Sequence, residues 1–210
     1  MKTTQIHTGA PKENIEHSTE YKRQLRQVET ALKKSETKHP ITLKMKMTEL
    51  ILDLMQHRKS FGMFVILGWK NKWQRFADTP DAHQDIFARH HTNIMKITPT
   101  RQKKRGIMNT VNFDGAIIID GRGDILHSGA MIEGLRPRAT AHRLNPSRTG
   151  DLSSQFGFKR KVHMRHIAAI TSSYIFKNTT IFTISEETND LHIFENGRII
   201  YSTVKGEPVK

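Results

Sequence analysis

The chain has 210 residues, 36% apolar and 26% charged, which allows one medium core with a small extension and argues against wholesale disorder. Cysteine is absent, so a disulfide scaffold, a thiol nucleophile and thiolate-held metal are excluded, and a reducing compartment fits. With 34 Lys and Arg against 20 Asp and Glu, the formal net charge of +14 points to polyanionic partners: nucleotide phosphates, an anionic surface or nucleic acid.

Residues 1–16 read as a loose tail with no apolar stretch behind Lys2, so no secretory signal is expected. Tyr21, Leu25, Val28 and Leu32 recur at helical spacing and predict an amphipathic helix over 18–34, with the Ser18 hydroxyl as its cap. His39-Pro40 marks a boundary, because proline disfavours helical geometry in the residue before it. A second helix follows over 42–57. The apolar run Phe61 to Leu67 predicts a strand covered on both faces. Trp69 and Trp73 read as aromatics at the edge of the core. One more helix is expected around Asp81 to His90, where His83, His90 and His91 lack the spacing of a recognised metal set. Arg101 to Arg105 (RQKKR) forms a basic patch.

In the second half, Ala116 to Ile119 and Asp124 to Ser128 predict strands joined by a turn at Asp120-Gly121-Arg122-Gly123. The passage 133–161 reads as polar and proline-broken. From Arg136 to Arg165 it carries eight Lys or Arg against Asp151 alone, the bias of a mobile loop facing phosphate. A helix over 166–174, a strand over 179–185 and a hairpin around Asn196-Gly197 complete the pattern. Strands interspersed with helices imply an α/β fold: a central mixed, mostly buried sheet flanked by helices, with an N-terminal helical extension. The expected division is 1–40 tail and helix, 41–205 nucleotide domain and 206–210 tail. The longest apolar runs are far short of a bilayer span, so the expectation is a cytoplasmic chain without membrane insertion.

Three segments could carry chemistry. Asp114-Gly115-Ala116 offers a carboxylate for a divalent cation or a hydroxyl, beside a glycine that permits close backbone approach. Arg165-His166-Ile167-Ala168-Ala169 puts a guanidinium fork at a helix start, where unpaired N–H groups favour phosphate. Ser185-Glu186-Glu187-Thr188 projects carboxylates from a strand end. Each also reads singly as a structural feature: a turn, a helix-start histidine and an acidic loop.

Taken in order, FDGAIIID (113–120), MRHIAA (164–169) and ISEET (184–188) resemble the Asp-Gly-Ala, Gly-Thr-Arg-His-Arg-Ala-Ala and Ser-Glu-Glu-Thr segments of the diadenylate cyclase family. Upstream, HRKSFGMFVIL (57–67) is similar to that family's first helix–strand joint, and the likeness spans roughly residues 41–205. The resemblance implies a cyclase that condenses two ATP into cyclic di-AMP, with Mg²⁺ or Mn²⁺ and two sites brought face to face by at least transient self-association. It places Asp114, Arg165 and His166 in catalysis and Asp114 with Glu187 on the metal. Nucleotide contacts are implied at Gly115, Ala116, Met164, Arg165, His166, Ser185 and Glu187. Met164 and Ile167 stand where the family pattern has threonine and a second arginine, and Phe113 where many relatives have histidine. A nucleotide-binding domain without turnover and a basic nucleic-acid module are the alternative readings.

Overall fold

The structure, a computed structural model, describes residues 18–57, 60–85, 87, 90–97 and 114–209. Expectations for the tail, for RQKKR and for Phe113 lie outside the described residues. Helix α1 (Thr19–Lys33) begins as its sequence predicts, with Ser18 Oγ accepting from Tyr21 N at 3.1 Å. Its buried Tyr21, Val28 and Leu32 pack it against α2 (Ile41–His57) and the sheet, and this packing stabilises a helix too short to persist alone.

Eight strands form one sheet: β1 (Met63–Trp69), β2 (Ala77–Asp78), β3 (Thr92–Asn93), β4 (Ala116–Asp120), β5 (Asp124–Ile132), β6 (Thr180–Ile184), β7 (Leu191–Glu195) and β8 (Arg198–Ser202). The order is β2-β5-β4-β1-β6-β7-β8, with β3 also on β5. Among the described residues only β1 and β4 pair in parallel, Val65 opposite Ile117, and the other pairings are antiparallel, which gives the expected mixed sheet.

Every residue of β1 is buried because both its faces are covered. Val65 and Leu67 join the core under α1 and α2. Phe64 and Ile66 join the core under α3 (Pro137–Leu144), α4 (Leu152–Phe156) and α5 (Met164–Ile175). Trp69 and Trp73 are buried in that second core and meet edge to face at 5.7 Å. At the β7–β8 turn, Asn196 and Gly197 take φ of 51° and 78°, the left-handed pair that a type I′ hairpin requires.

One expectation is corrected. The basic passage 133–161 is not a loop but a packed segment holding α3 and α4. Pro137 falls in the first turn of α3, where its missing N–H costs nothing, and Asp151 caps α4 by accepting from Ser154 N at 2.8 Å. Ala141, Phe156 and Phe158 anchor the segment in the core, and Arg160 pairs with Asp190 at 2.8 Å. Within the stretch expected to be helical around 81–90, residues 82–84 form a turn and Phe87 is helical. The buried Asp85 carboxylate accepts from Ser128 Oγ at 2.8 Å and from Phe87 N at 3.0 Å, tying this stretch to β5. Among the described residues, no group of three or more His, Asp or Glu side chains is placed to hold a metal ion.

Candidate functional site

The three segments converge on one cleft of about 730 Å³ at the end of the sheet where β1 and β4 begin and β6 finishes. Asp114 and Gly115 lead into β4, His163 to His166 open α5, and Ser185 to Glu187 follow β6. Phe64, Ala130, Ile132 and Ala168 supply its apolar lining. Ala116 does not line it: the residue is fully buried behind the wall, opposite Ala130.

Gly115 is required by backbone geometry. Its φ is +119°, and a Cβ there would lie 2.5 Å from the Gly129 carbonyl carbon, where the β4–β5 register shifts. This close approach sets the exit of the chain to Asp114, whose side chain is 96% exposed. The Arg165 guanidinium reaches Asp114 Oδ1 at 3.5 Å. It lies against Gly62, where a Cβ would clash with Arg165 Nη1. Gly62 is the site residue that the sequence reading passed over. The glycine stands within the helix–strand joint HRKSFGMFVIL, but only the fold brings a guanidinium onto it.

The first turn of α5 contains no acidic residue, and His163 makes no side-chain cap bond there. Neither an acidic residue of the helix itself nor a side-chain cap occupies its positive end, whose free N–H groups favour phosphate. His163 Nε2 instead meets Glu187 Oε2 at 3.0 Å. Ser185 Oγ accepts from Thr188 N at 3.3 Å and so shapes the loop that presents Glu186 and Glu187. Met164 is 67% exposed, whereas Ile167, one turn on, is 2% exposed and belongs to the core. Arg165 is therefore the one Lys or Arg among the described residues lining the cleft.

His166 lines the cleft from behind at 4% exposure. Burial, reinforced by His192 and the Arg165 charge, pushes its imidazole down to about 3, so it is neutral at physiological pH. Its ring stands edge-on to His192 at 4.9 Å, and His192 Nε2 bonds Glu207 Oε2 at 2.8 Å. Burial would raise the Glu207 carboxyl, but the hydrogen bonds from His192 and Ser202 outweigh it and hold the group below its usual value. His192 and Glu207 carry no signal in the sequence as site residues, because a strand histidine and a glutamate past the last hairpin are far apart along the chain.

Asp114 and Glu187 both line the cleft, Glu187 bonded to His163, and among the described residues no three His, Asp or Glu side chains are grouped to hold a metal ion. That donor set fits Mg²⁺ or Mn²⁺, which take one or two carboxylates and fill the remaining positions with phosphate oxygens and water. It does not fit an ion held by protein ligands alone.

No protein-family model matches the chain, and no curated protein matches it. Among solved structures, a hypothetical membrane spanning protein from Bacillus cereus is similar over 76% of this chain, at 17% identity and a TM-score of 0.46. The chain spans 62% of that protein's length. A double mutant of DacA from Staphylococcus aureus is similar over 90% of this chain and 91% of its own, at 14% identity and a TM-score of 0.38. At these scores neither likeness bears on the site. Among the described residues no helix is long and apolar enough to cross a membrane.

Proposed function

We propose that this chain is a diadenylate cyclase, joining two ATP molecules into cyclic di-AMP and releasing two pyrophosphates. The observation that carries the reading is convergence: three segments that resemble the family's motifs in order, and lie far apart in sequence, line a single cleft. In this reading Asp114 and Glu187 would hold a divalent cation, which when bound would neutralise triphosphate charge and favour ionisation of the ribose 3′-hydroxyl. Arg165, braced on Gly62, offers its planar fork to the phosphates, and the uncapped start of α5 receives them. Phe64, Ala130 and Ile132 give an apolar surface for the base. Each 3′-oxygen attacks the α-phosphorus of the other ATP, the hydroxyl proton is lost to solvent or a base, and pyrophosphate leaves with the broken P–O bond. Two clefts must then face each other. Met131 and Met164, exposed and lining the cleft, supply apolar contact for a second copy.

Incubation with ATP and Mg²⁺ or Mn²⁺, followed by mass analysis, tests this directly. Cyclic di-AMP and pyrophosphate are expected, and folded protein that gives neither at concentrations spanning dimer formation overturns the reading. A second reading, nucleotide binding without turnover, draws on Ile167 being packed into the core and on Arg165 standing alone. Calorimetric binding of ATP with no product would select it.

A further inference from the structure

The opposite end of the sheet has a different character. There β1 and β4 finish and β6 begins, as the register of Trp69 with Asp120 and of Leu67 with Thr180 requires. Lys70 follows β1 directly, and Lys72 lies in the short 3-10 helix after it. Arg122 sits in the β4–β5 turn, and Lys177 between α5 and β6. Lys38 N donates to Asn178 Oδ1, and Arg198 pairs with Glu195 across the β7–β8 turn, which places both at this end. All six cations are exposed, and none makes an ion pair among the described residues.

The neighbouring acids are committed elsewhere. Asp120 Oδ1 accepts from the backbone N–H groups of Arg122 and Asp124, Asp124 accepts from Asn93, Glu195 is buried on Lys44, and Glu36 accepts from Asn196. Three of the cations are held over aromatic rings. Lys70 and Lys72 lie 5.8 and 5.4 Å from the Trp73 ring centroid, and Lys177 lies 4.0 Å over Tyr174. Such contacts restrict long side chains and lower the entropy lost when they meet a phosphate.

We propose that this end is a docking surface for the phosphate backbone of duplex nucleic acid, read without regard to sequence and separate from the nucleotide cleft. An anionic membrane is the poorer match. Among the described residues Met95 is the one large apolar side chain well exposed near this end, whereas interfacial binding needs an apolar face to enter the bilayer. Base stacking is also absent from the scheme, because Trp73 is buried beneath its lysines. Binding then comes from counterion release, which makes it steeply dependent on salt.

The test is fluorescence anisotropy of the full chain with a labelled mixed-sequence DNA duplex across a salt series. The triple variant Lys70→Glu, Lys72→Glu, Lys177→Glu is expected to bind about tenfold or more weakly, with the slope of log affinity against log salt smaller by about 3. A charge-matched control reverses Lys22, Lys161 and Lys205 at the cleft end and is expected to change affinity far less. Equal weakening in both variants would show diffuse charge attraction and overturn the proposal, as would wild-type protein with no affinity for the duplex. Binding lost only when Arg101, Lys103, Lys104 and Arg105 are neutralised overturns it too, as does binding to phosphatidylserine vesicles in place of the duplex. None of these outcomes depends on cyclase activity.

Discussion

The two ends of the sheet solve opposite problems with opposite materials. At the cleft end, glycines let backbone and guanidinium approach closely, while carboxylates stand in solvent: Gly115 against Gly129, Gly62 under Arg165, Asp114 exposed. At the basic end the cations are outside and the carboxylate is inside. Glu195 there is buried with Lys44 at 3.2 Å and accepts from Ser35 Oγ and Thr180 Oγ1, both at 2.6 Å. An exposed carboxylate is free to take a metal ion or a substrate proton, whereas one fully bonded in the interior can only fix the chain. Placement, more than residue type, separates the two ends.

That contrast can be broken at either end. The largest effect is expected from Asp114→Asn, which should reduce cyclic di-AMP formation to background, about a hundredfold or more, with thermal stability unchanged. Retained turnover would remove Asp114 from the chemistry. Next, Lys44→Met leaves the Glu195 carboxylate buried without its charge partner and should destabilise by about 3–5 kcal/mol, read by urea denaturation. A loss below about 1 kcal/mol would mean that the surrounding hydroxyls suffice.

Gly115→Ala sets a Cβ against the Gly129 backbone at positive φ. It should cost about 3 kcal/mol and displace Asp114, so stability and activity fall together. The smallest effect is the pH response of His166. A histidine whose folded pKa is depressed contributes stability that is fully present above its unfolded pKa near 6.5 and is lost as pH falls toward about 3. Glu207, with its depressed carboxyl, adds its own loss only below about 4.5, so between 6.5 and 4.5 the two imidazoles lowered by burial, His166 and His39, act together. There His166 should make stability decline with acid by up to roughly 1.4 kcal/mol per pH unit, and His166→Leu should reduce the decline by that part. An unchanged slope in the variant would assign it to other groups.

Much of this architecture was legible in the sequence where local pattern and tertiary environment agree. The apolar run of β1, the spacing of α1 and the Asn196-Gly197 turn each dictate their geometry with little outside help. Reading failed where distant contacts decided the outcome. The passage 133–161, read as a loop, holds two helices anchored by Ala141 and Phe156, with Arg138 and Arg143 on the first of them. The cleft itself was readable as three separate segments, but their neighbours were not. Gly62 matters because Arg165 lies on it, and Glu207 because His192 reaches it, and neither relation has a local signature.

The single parallel pairing, β1 with β4, has a consequence for how the molecule comes into being. Strands β6, β7 and β8 follow one another as antiparallel neighbours, and β4 and β5 form a local ribbon, so each piece can form early with little loop to close. Joining β1 to β4 closes a long stretch of chain, as joining β1 to β6 closes a longer one, and both are expected to come late. The cleft draws Phe64 from one side of that junction and Asp114 from the other. A nascent chain would thus acquire its cleft late in folding, and on the proposed function ATP protection from proteolysis would register completed assembly.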